Sequence, residues 1–323
     1  MRQELENYRQ LGKPVHEDFG GTRLDDYLGK HFLFMSRTQW KKAIREPKVL
    51  VNEETRKGSY KLREGDVIHY FSPEWDEPEV DSNIKVVWEK DGVIAVYKPS
   101  NLPIHEGGAY KNNTFCRFLQ ELRGPEWAPV HRLDRETSGL VLCAHTSELR
   151  NALSESLRTH AMQKTYLAIG VGEASLEKWT VDEPLGSSET SALRTKQAVR
   201  ADGAASLTEF EVLERKPGFT FMKVKPKTGR THQIRVHMKY IGHTLFNDER
   251  YGGNKILKGT VYSKYKQFVE NCFDMLPRQA LHAKTLGFIH PKTKENILFD
   301  SDIPVDMNSV IEKWRGYSKH KNL

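Results

Sequence analysis

The apolar positions near the start of the chain are spaced as on two short helices. The first helix face is made of four residues, Leu24, Tyr27, Leu28 and Phe32. Thr22 and Asp25 form a capping-box pattern at its start. The second helix face is made of Trp40, Ala43 and Ile44, and a second capping-box pattern precedes it at Ser36 and Gln39. We expect Pro47 to end this helix, and the runs VLVN and GDVIHYF that follow predict short strands.

Strand-like runs dominate from about residue 84 to residue 304, where they are mixed with two or three helices. The runs read VVWEKDGVIAVYK, GLVLCAH, TYLAIGVG, FTFMKVK and TLGFIH. Because strands and helices do not alternate as in βαβ units, the pattern predicts an α+β fold around a mixed, largely antiparallel sheet. Residues 73–83 separate this region from the first helices. They hold two prolines and five acidic residues, which is typical of a solvated linker.

These patterns divide the chain into five predicted parts. They are an N-terminal extension (1–19), a small α/β domain (20–72), an acidic linker (73–83), a large α+β domain (84–304) and a basic C-terminal tail (305–323). The tail follows Trp314 with Arg315, Lys319 and Lys321. We expect it to be loose rather than to bind a partner.

Composition narrows the class of protein. The 323 residues include 50 Lys and Arg against 43 Asp and Glu, and the formal net charge of +7 favours a polyanionic partner. No apolar run approaches the length of a membrane span, and the first residues lack the apolar core of a signal peptide, so we expect a cytoplasmic protein with no membrane partner. Its three cysteines match neither a disulfide framework nor a zinc pattern.

Basic residues follow one face of the second predicted helix. Arg37, Lys41 and Arg45 are spaced four apart, Lys42 and Lys48 lie nearby, and only Glu46 opposes them. A charge run of this size is usually an ordinary solvated face. The alternative is a surface for a polyanion such as RNA.

The segment HRLDRETSG, residues 131–139, places one carboxylate between two arginines just before an apolar strand. An arginine next to a buried carboxylate opposes the desolvation that would protonate it, so Asp134 is a candidate nucleophile beside Arg132 and Arg135. Taken alone, a structural Asp–Arg pair is the commoner arrangement.

The segment KTYLAIG predicts a strand with Tyr166, Ala168 and Gly170 on one face and Leu167 and Ile169 on the other. A ring beside small residues leaves room above it, where a flat base could stack. The alternative is a core tyrosine whose hydroxyl is hydrogen-bonded.

A third segment, FTFMKVKPKTGRTHQIRVHMKYIGH, predicts a strand, a tight turn and a helix capped near Thr231. Ile234, Met238 and Ile241 point inward, and Gly242 ends the helix. The turn and the helix N-terminus could bind a phosphate. Six cations lie within 17 positions: Lys223, Lys225, Lys227, Arg230, Arg235 and Lys239.

Arg235 adjoins the inward stripe of this helix, so it is a candidate partner for a buried carboxylate. His232 and His237 are five apart, unlike a helical metal pair, and we expect no metal. The sequence also contains no phosphate-binding loop, no dinucleotide fingerprint and no nucleophile elbow. Any mechanism therefore depends on an acid, a phenol and arginines.

The three segments, with DERYGG, QALHAKTLGFIHP and EKDGVIAVYKPSNLPIH, resemble the RluA-type RNA pseudouridine synthases in order and spacing. Residues 20–71 resemble the RNA-binding module first described in ribosomal protein S-four. Pro47 stands where that module usually has a glycine, and Asn52-Glu53 stands where it usually has Asn-Gly. GHTLFND, with Thr244 and Asn247, stands where the synthases have GHPxxGD.

The resemblance implies roles for particular residues. Asp134 would be the nucleophilic aspartate, Tyr166 the stacking tyrosine and Arg235 the active-site basic residue, with Arg230 as the other candidate partner of Asp134. Arg132 would fill the gap left by the extruded base. Further substrate contacts are expected from His131, Arg230, His232 and Ile234. RNA contacts are expected from Arg37, Lys41, Lys42, Arg45, Lys48 and Lys227.

We therefore expect an enzyme, a monomer without cofactor or metal, that flips a uridine out of structured RNA and isomerises it. Asp134 would attack the ribose, add to the base or remove a ribose proton. Large-subunit ribosomal RNA is the expected substrate, with tRNA as an alternative. A different class of function, a non-catalytic RNA-binding or ribosome-assembly factor, is disfavoured because Asp134, Tyr166 and Arg235 are all present.

Overall fold

The computed structural model describes residues 8–32, 35–71, 77–189, 196–256 and 262–319. They form two compact units. One extends to Pro78 and includes Gly107–Lys111, and the other contains the remaining residues from Glu79 onward. The division lies inside the predicted linker 73–83, of which residues 73–76 are outside the described ranges, as is Lys321 of the tail.

The first unit is a four-stranded antiparallel sheet with two helices. In chain order its elements are β1 (Tyr8–Gln10), α1 (Leu24–His31), α2 (Arg37–Arg45), β2 (Val49–Val51), β3 (Glu54–Thr55) and β4 (Ile68–Phe71), and the sheet order is β1-β4-β2-β3. Its core contains Leu24, Leu28, Trp40 and Val51, all fully buried. The apolar positions of both predicted helices thus form one hydrophobic core.

The two helix starts differ in how they are capped. At α2 the predicted capping box is confirmed, with Ser36 and Gln39 bound to each other's backbone N–H. At α1 it is wrong, because Arg23 is the capping residue and no side chain caps the helix. The N–H groups of Leu24 and Asp25 are instead bound by the carbonyls of Tyr60 and Gly58. A neighbouring loop therefore replaces the side-chain cap.

The second unit is built on a ten-stranded mixed sheet. Its strands are β5 (Lys85–Lys90), β6 (Val93–Lys98), β7 (Ala128–Pro129), β8 (Ser138–Ala144), β9 (Gln163–Val171), β10 (Lys178–Asp182), β13 (Leu207–Lys216), β14 (Phe219–Pro226), β15 (Leu281–Ile289) and β16 (Asn296–Asp300). The main order is β10-β13-β14-β9-β15-β8-β6-β5. A separate hairpin joins β11 (Leu185–Ser187) and β12 (Gln197–Val199).

All paired neighbours in the large sheet are antiparallel except β15 and β8, so the predicted α+β fold with a mixed, largely antiparallel sheet is confirmed. At the parallel pair, Gly139 has φ 117° and lies against Ala283. A Cβ there would stand 2.2 Å from the Ala283 carbonyl oxygen. Only glycine allows this close approach, and Gly139 is the last residue of the segment 131–139 that carries Asp134.

Five helices pack on this sheet: α3 (Phe115–Arg123), α4 (Ser147–Arg158), α5 (Gln233–Tyr240), α6 (Ser263–Met275) and α7 (Val305–Lys319). Within the described ranges, no helix is long and apolar enough to span a membrane. Helix α5 covers the sheet face that carries Ala168, Met222 and Val224. It thereby brings Arg235 to the face of the sheet that bears Tyr166.

The predicted loose tail is wrong, because α7 is part of the core of the second unit. Met307, Val310, Ile311 and Trp314 are at most 1% exposed and pack with residues of β9, β14 and α6. Their spacing is that of one helix face. Arg315 is ion-paired with Glu214 of β13 and Glu312 of the same helix. The basic residues of the segment led to the prediction of a loose tail, although its apolar residues form one face of a helix.

Candidate active site

Asp134 lies in the loop that connects β7 to β8, and Lys98 holds that loop in place. The buried Lys98 Nζ donates hydrogen bonds to the carbonyls of Pro99, Leu102 and Arg135, at 2.7, 2.8 and 3.0 Å. These three acceptors match the three N–H bonds of an ammonium group. The Thr137 N–H also donates to the Asp134 carbonyl at 3.1 Å. The backbone at Asp134 and at the residue that follows it is therefore fixed.

The Asp134 carboxylate pairs with an arginine from α5 and not with its neighbours in sequence. Its Oδ2 accepts a hydrogen bond from Arg235 Nη1 at 2.9 Å and lies 3.5 Å from Gln279 Nε2. Arg135 points away and donates to Glu136, and Arg132 is exposed at the rim. Within the described residues, Oδ1 accepts no hydrogen bond. One oxygen is thus held by protein and the other is available to a substrate.

Arg235 is shared between two carboxylates. Its Nε and Nη2 donate to Asp248 at 2.7 and 2.9 Å, while Nη1 reaches Asp134. Asp248 is 1% exposed and Arg235 is 7% exposed. The guanidinium carbon also lies 5.0 Å from the centre of the Tyr251 ring. Sequence reasoning missed Asp248, although it ends the GHTLFND motif.

These contacts decide the ionisation of Asp134. Burial works to raise the pKa of its carboxyl, but His232, Arg235 and the Gln279 amide together keep that pKa below its ordinary value. Burial lowers the pKa of His232 itself to about 4, so its ring is neutral at pH 7. Arg235 is therefore the cation that holds Asp134 ionised at neutral pH.

Tyr166 lies on β9 with its ring in the wall of the cavity that contains Asp134. The predicted alternation is confirmed, since Leu167 and Ile169 pack in a different core cluster from Ala168. The expected space above the small residues is not free. A Cβ on Gly170 would lie 2.8 Å from Met238 Cε, so this glycine accommodates α5. Burial, and secondarily the charge of Asp134, raise the pKa of Tyr166 well above its ordinary value.

The cavity has a volume of about 550 Å³, within the range of small-ligand sites, roughly 300–1,000 Å³. Asp134, Arg235, Tyr166 and Ile234 line this cavity and are buried or half-buried, and we call their part of it the inner end. We call the part lined by four cations the mouth; Arg132, Arg158 and Arg230 are exposed, and Lys164 is half-buried. A second cavity of about 900 Å³ shares Arg132, Leu133, Asp134, His232 and Arg235 with the first. Asp134 therefore borders open space on two sides.

The other predicted substrate residues also line this cavity, but three of them have structural contacts. His131 Nε2 accepts a hydrogen bond from the Leu142 N–H at 3.1 Å, and burial lowers the pKa of His131 to about 4. His232 Nδ1 lies 2.9 Å from the Tyr251 hydroxyl. Arg230 Nε donates to the Ala205 carbonyl at 3.2 Å, so of the two candidate arginines it is Arg235 that pairs with Asp134.

The turn before α5 is fastened by Gln233, a residue that sequence reasoning missed. Its buried amide accepts from Thr228 Oγ1 and the Arg230 N–H and donates to the Leu207 carbonyl and Thr208 Oγ1. The predicted cap at Thr231 is wrong. The capping residue is His232 in a left-handed conformation with φ 55°, and no side chain caps the helix. Gln233 already binds one N–H of the predicted phosphate site.

The predicted RNA-contacting cations are partly neutralised. Arg37 is bound to Asp26, Lys42 and Lys48 to Glu46, and Lys227 to Glu209. Lys41 and Arg45 are exposed, and neither has an ion pair within the described ranges. For a metal, the described residues bring three possible ligands together only at the exposed His16, Glu17 and Asp18 in the first unit.

A carboxylate held by a guanidinium and bordered by a phenol, on this mixed sheet, is the arrangement that the resemblance to RNA pseudouridine synthases implied. A family model described as RNA pseudouridylate synthase matches residues 92–240, and one described as S4 domain matches residues 22–68. The chain belongs to the RNA pseudouridylate synthase family and is an isomerase.

Individual relatives agree over nearly the whole chain. It is 32% identical over 317 residues to "Uncharacterized RNA pseudouridine synthase YlyB" of Bacillus subtilis (strain 168), covering 95% of this chain and 98% of that protein. It is 32% identical over 332 residues to "Ribosomal large subunit pseudouridine synthase D" of Vibrio vulnificus (strain CMCP6), covering 100% and 99%. The solved structure of "Human RNA Pseudouridylate Synthase Domain Containing 1" shares the fold, with TM-score 0.56 and 24% identity over 74% of this chain and 90% of that one.

Proposed function

We propose that this chain isomerises specific uridines of large-subunit ribosomal RNA, with Asp134 as the catalytic residue. The observation that carries the proposal is the ion pair of Asp134 Oδ2 with Arg235, which leaves Oδ1 without a hydrogen bond among the described residues, at the wall of a cavity that Tyr166 also lines. The relatives named as ribosomal large subunit synthases favour this RNA.

The reaction moves one bond and one proton. The bond between N1 of uracil and C1′ of ribose breaks, a bond between C5 and C1′ forms, C5 loses its proton and N1 gains one. Because the pKa of Asp134 is held low, its carboxylate is ready to act without first losing a proton. Oδ1 is the oxygen positioned to reach an extruded nucleotide, whether it meets the sugar or the base.

Tyr166 serves this reaction as a neutral phenol. Its raised pKa keeps the hydroxyl protonated at neutral pH. The ring offers an aromatic face for stacking, which is worth about 1–3 kcal/mol per base. The detached uracil must stay in the cavity while it rotates to present C5 in place of N1 to the ribose. Such a wall retains it, whereas a base lost to water would leave an abasic site.

RNA in duplex form would bury the target uridine, so the nucleotide has to leave the helix to reach Asp134. We expect Arg132, exposed at the rim of both cavities, to occupy the gap. The exposed Lys41 and Arg45 of α2 would contact phosphates elsewhere on the RNA. His131 and Ile234 contribute wall area to the nucleotide site.

The experiment is a map of pseudouridine in total RNA from a strain that lacks this gene, compared with its parent. We expect one or a few uridines of large-subunit ribosomal RNA to lose the modification. The wild-type gene should restore it, and Asp134→Asn should not, although the variant protein should bind RNA with nearly unchanged affinity. An unchanged map in the deletion strain would overturn the proposed RNA, and restoration by Asp134→Asn would overturn the role of Asp134.

A further inference from the structure

Three cations at the mouth of the cavity have no acidic partner among the described residues. They are Arg132, Lys164 and Arg230, and all three line the same cavity as Asp134 and Tyr166. A fourth cation at the mouth, Arg158, is bound to Glu155 at 2.7 Å. Arg235 at the inner end is bound to two carboxylates. The mouth therefore carries positive charge that the protein itself does not compensate.

Lys164 is unusual among them because it is half-buried. It lies on β9 two residues before Tyr166, so the two side chains share one face of the strand. Its Nζ is 3.5 Å from the Thr228 carbonyl, at the outer limit of a hydrogen bond. Burial lowers the pKa of its ammonium group. A desolvated cation without a partner is costly unless a ligand supplies the missing charge.

Arg230 reaches the same place from the turn before α5. Gln233 fixes this turn, and Lys164 Nζ lies 3.6 Å from the point where a Cβ on Gly229 would stand. The Arg230 Nε is bound to the Ala205 carbonyl, while its two Nη groups make no hydrogen bond within the described ranges. Lys164 Nζ thus lies next to Gly229, the residue that precedes Arg230, and both cations have donors to spare.

We propose that Lys164 and Arg230 form a binding site for a backbone phosphate of the RNA, adjacent to the uridine that enters the cavity. The inference rests on the proposed function for the identity of the RNA. A phosphodiester is the anion that a nucleotide stacked on Tyr166 must bring to the mouth. A fixed turn with two donors suits it better than mobile surface lysines, since less side-chain entropy is lost on binding.

The first test measures RNA binding over a range of salt concentrations. The probe is large-subunit ribosomal RNA from the deletion strain, and the variants are Lys164→Met and Arg230→Met. Each should weaken binding about tenfold and reduce the slope of log affinity against log salt by about 0.7–0.9, because one phosphate contact is lost. Lys164→Arg should retain the slope. Lys264→Met is the matched control, because Lys264 is an exposed lysine of α6 without an ion pair in the described ranges.

A second test neutralises the phosphate instead of the lysine. In a synthetic hairpin that contains the mapped uridine, a methylphosphonate replaces the phosphate on either side of it in turn. One of the two replacements should weaken binding by the wild type about tenfold and leave Lys164→Met unaffected, because the two changes remove the same contact. Losses that simply add would contradict the site.

The outcomes separate this inference from the proposed function. Binding does not depend on turnover, so slopes can be compared even if product formation fails. A wild type that binds but forms no pseudouridine refutes the proposed function. A Lys164→Met variant with an unchanged unfolding midpoint, and with the same affinity and slope as Lys264→Met, refutes the anion site. If Lys164→Met unfolds, Arg230→Met and the methylphosphonate series on the wild type still decide it.

Discussion

The two ends of the catalytic cavity treat positive charge in opposite ways. At the inner end, Arg235 is almost fully buried and two carboxylates, Asp134 and Asp248, bind all three of its nitrogens. At the mouth, Lys164 and Arg230 keep donors without acidic partners. The fold completes the inner end, whereas under the proposed function the RNA would complete the mouth.

The largest expected effect is on the inner end. Arg235→Met would leave the buried Asp248 and the half-buried Asp134 as neighbouring carboxylates without this cation, and removing one partner of a buried pair typically costs about 3–5 kcal/mol. We expect the urea midpoint to fall accordingly. Arg230→Met, at the mouth, should change the free energy of unfolding little, since no charged partner is lost. Equal decreases in the free energy of unfolding of the two variants would contradict the difference between the two ends of the cavity.

A smaller effect is expected from a substitution of Asp248, which accepts two hydrogen bonds from the Arg235 guanidinium. Asp248→Asn keeps the shape but weakens two charge-assisted hydrogen bonds, at a cost of about 1–3 kcal/mol. With Arg235 less firmly oriented, we expect kcat to fall about tenfold and KM to stay near that of the wild type. Single-turnover measurements on RNA from the deletion strain test this. A change confined to KM would mean that Asp248 acts on RNA binding.

The sequence predicted those parts of the site that are local in the chain. Asp134, Tyr166 and Arg235 each lie in a motif whose strand or helix could be read from apolar spacing, and their convergence followed the family resemblance. The sequence also predicted that Arg235 borders a buried face. It did not indicate which arginine pairs with Asp134, because 101 residues separate the partners.

The functional residues that could not be predicted from the sequence are those whose role depends on backbone groups in other parts of the chain. The role of Lys98 depends on three carbonyl groups, one of which is 37 residues away in the chain. The role of Gln233 depends on the turn before α5, to which its side chain is hydrogen-bonded. The same reason explains why the predicted capping box of α1 was wrong, because carbonyl groups of a loop distant in the chain bind the first N–H groups of this helix. In α7, Met307, Val310 and Trp314 did show helical spacing, and the basic composition outweighed that signal.

The central claim is that the Arg235 guanidinium keeps Asp134 ionised, and the pH dependence of kcat/KM tests it. Because the pKa of Asp134 lies below its ordinary value, the wild type should lose no activity through this group until the pH falls below about 4. In Arg235→Met, burial is opposed only by His232 and the Gln279 amide, so the pKa of Asp134 rises and activity should decline with acid at a higher pH. Arg235→Lys and Arg230→Met should retain the wild-type profile. An unmoved acid limb in Arg235→Met, at pH values where circular dichroism shows it folded, would contradict the account.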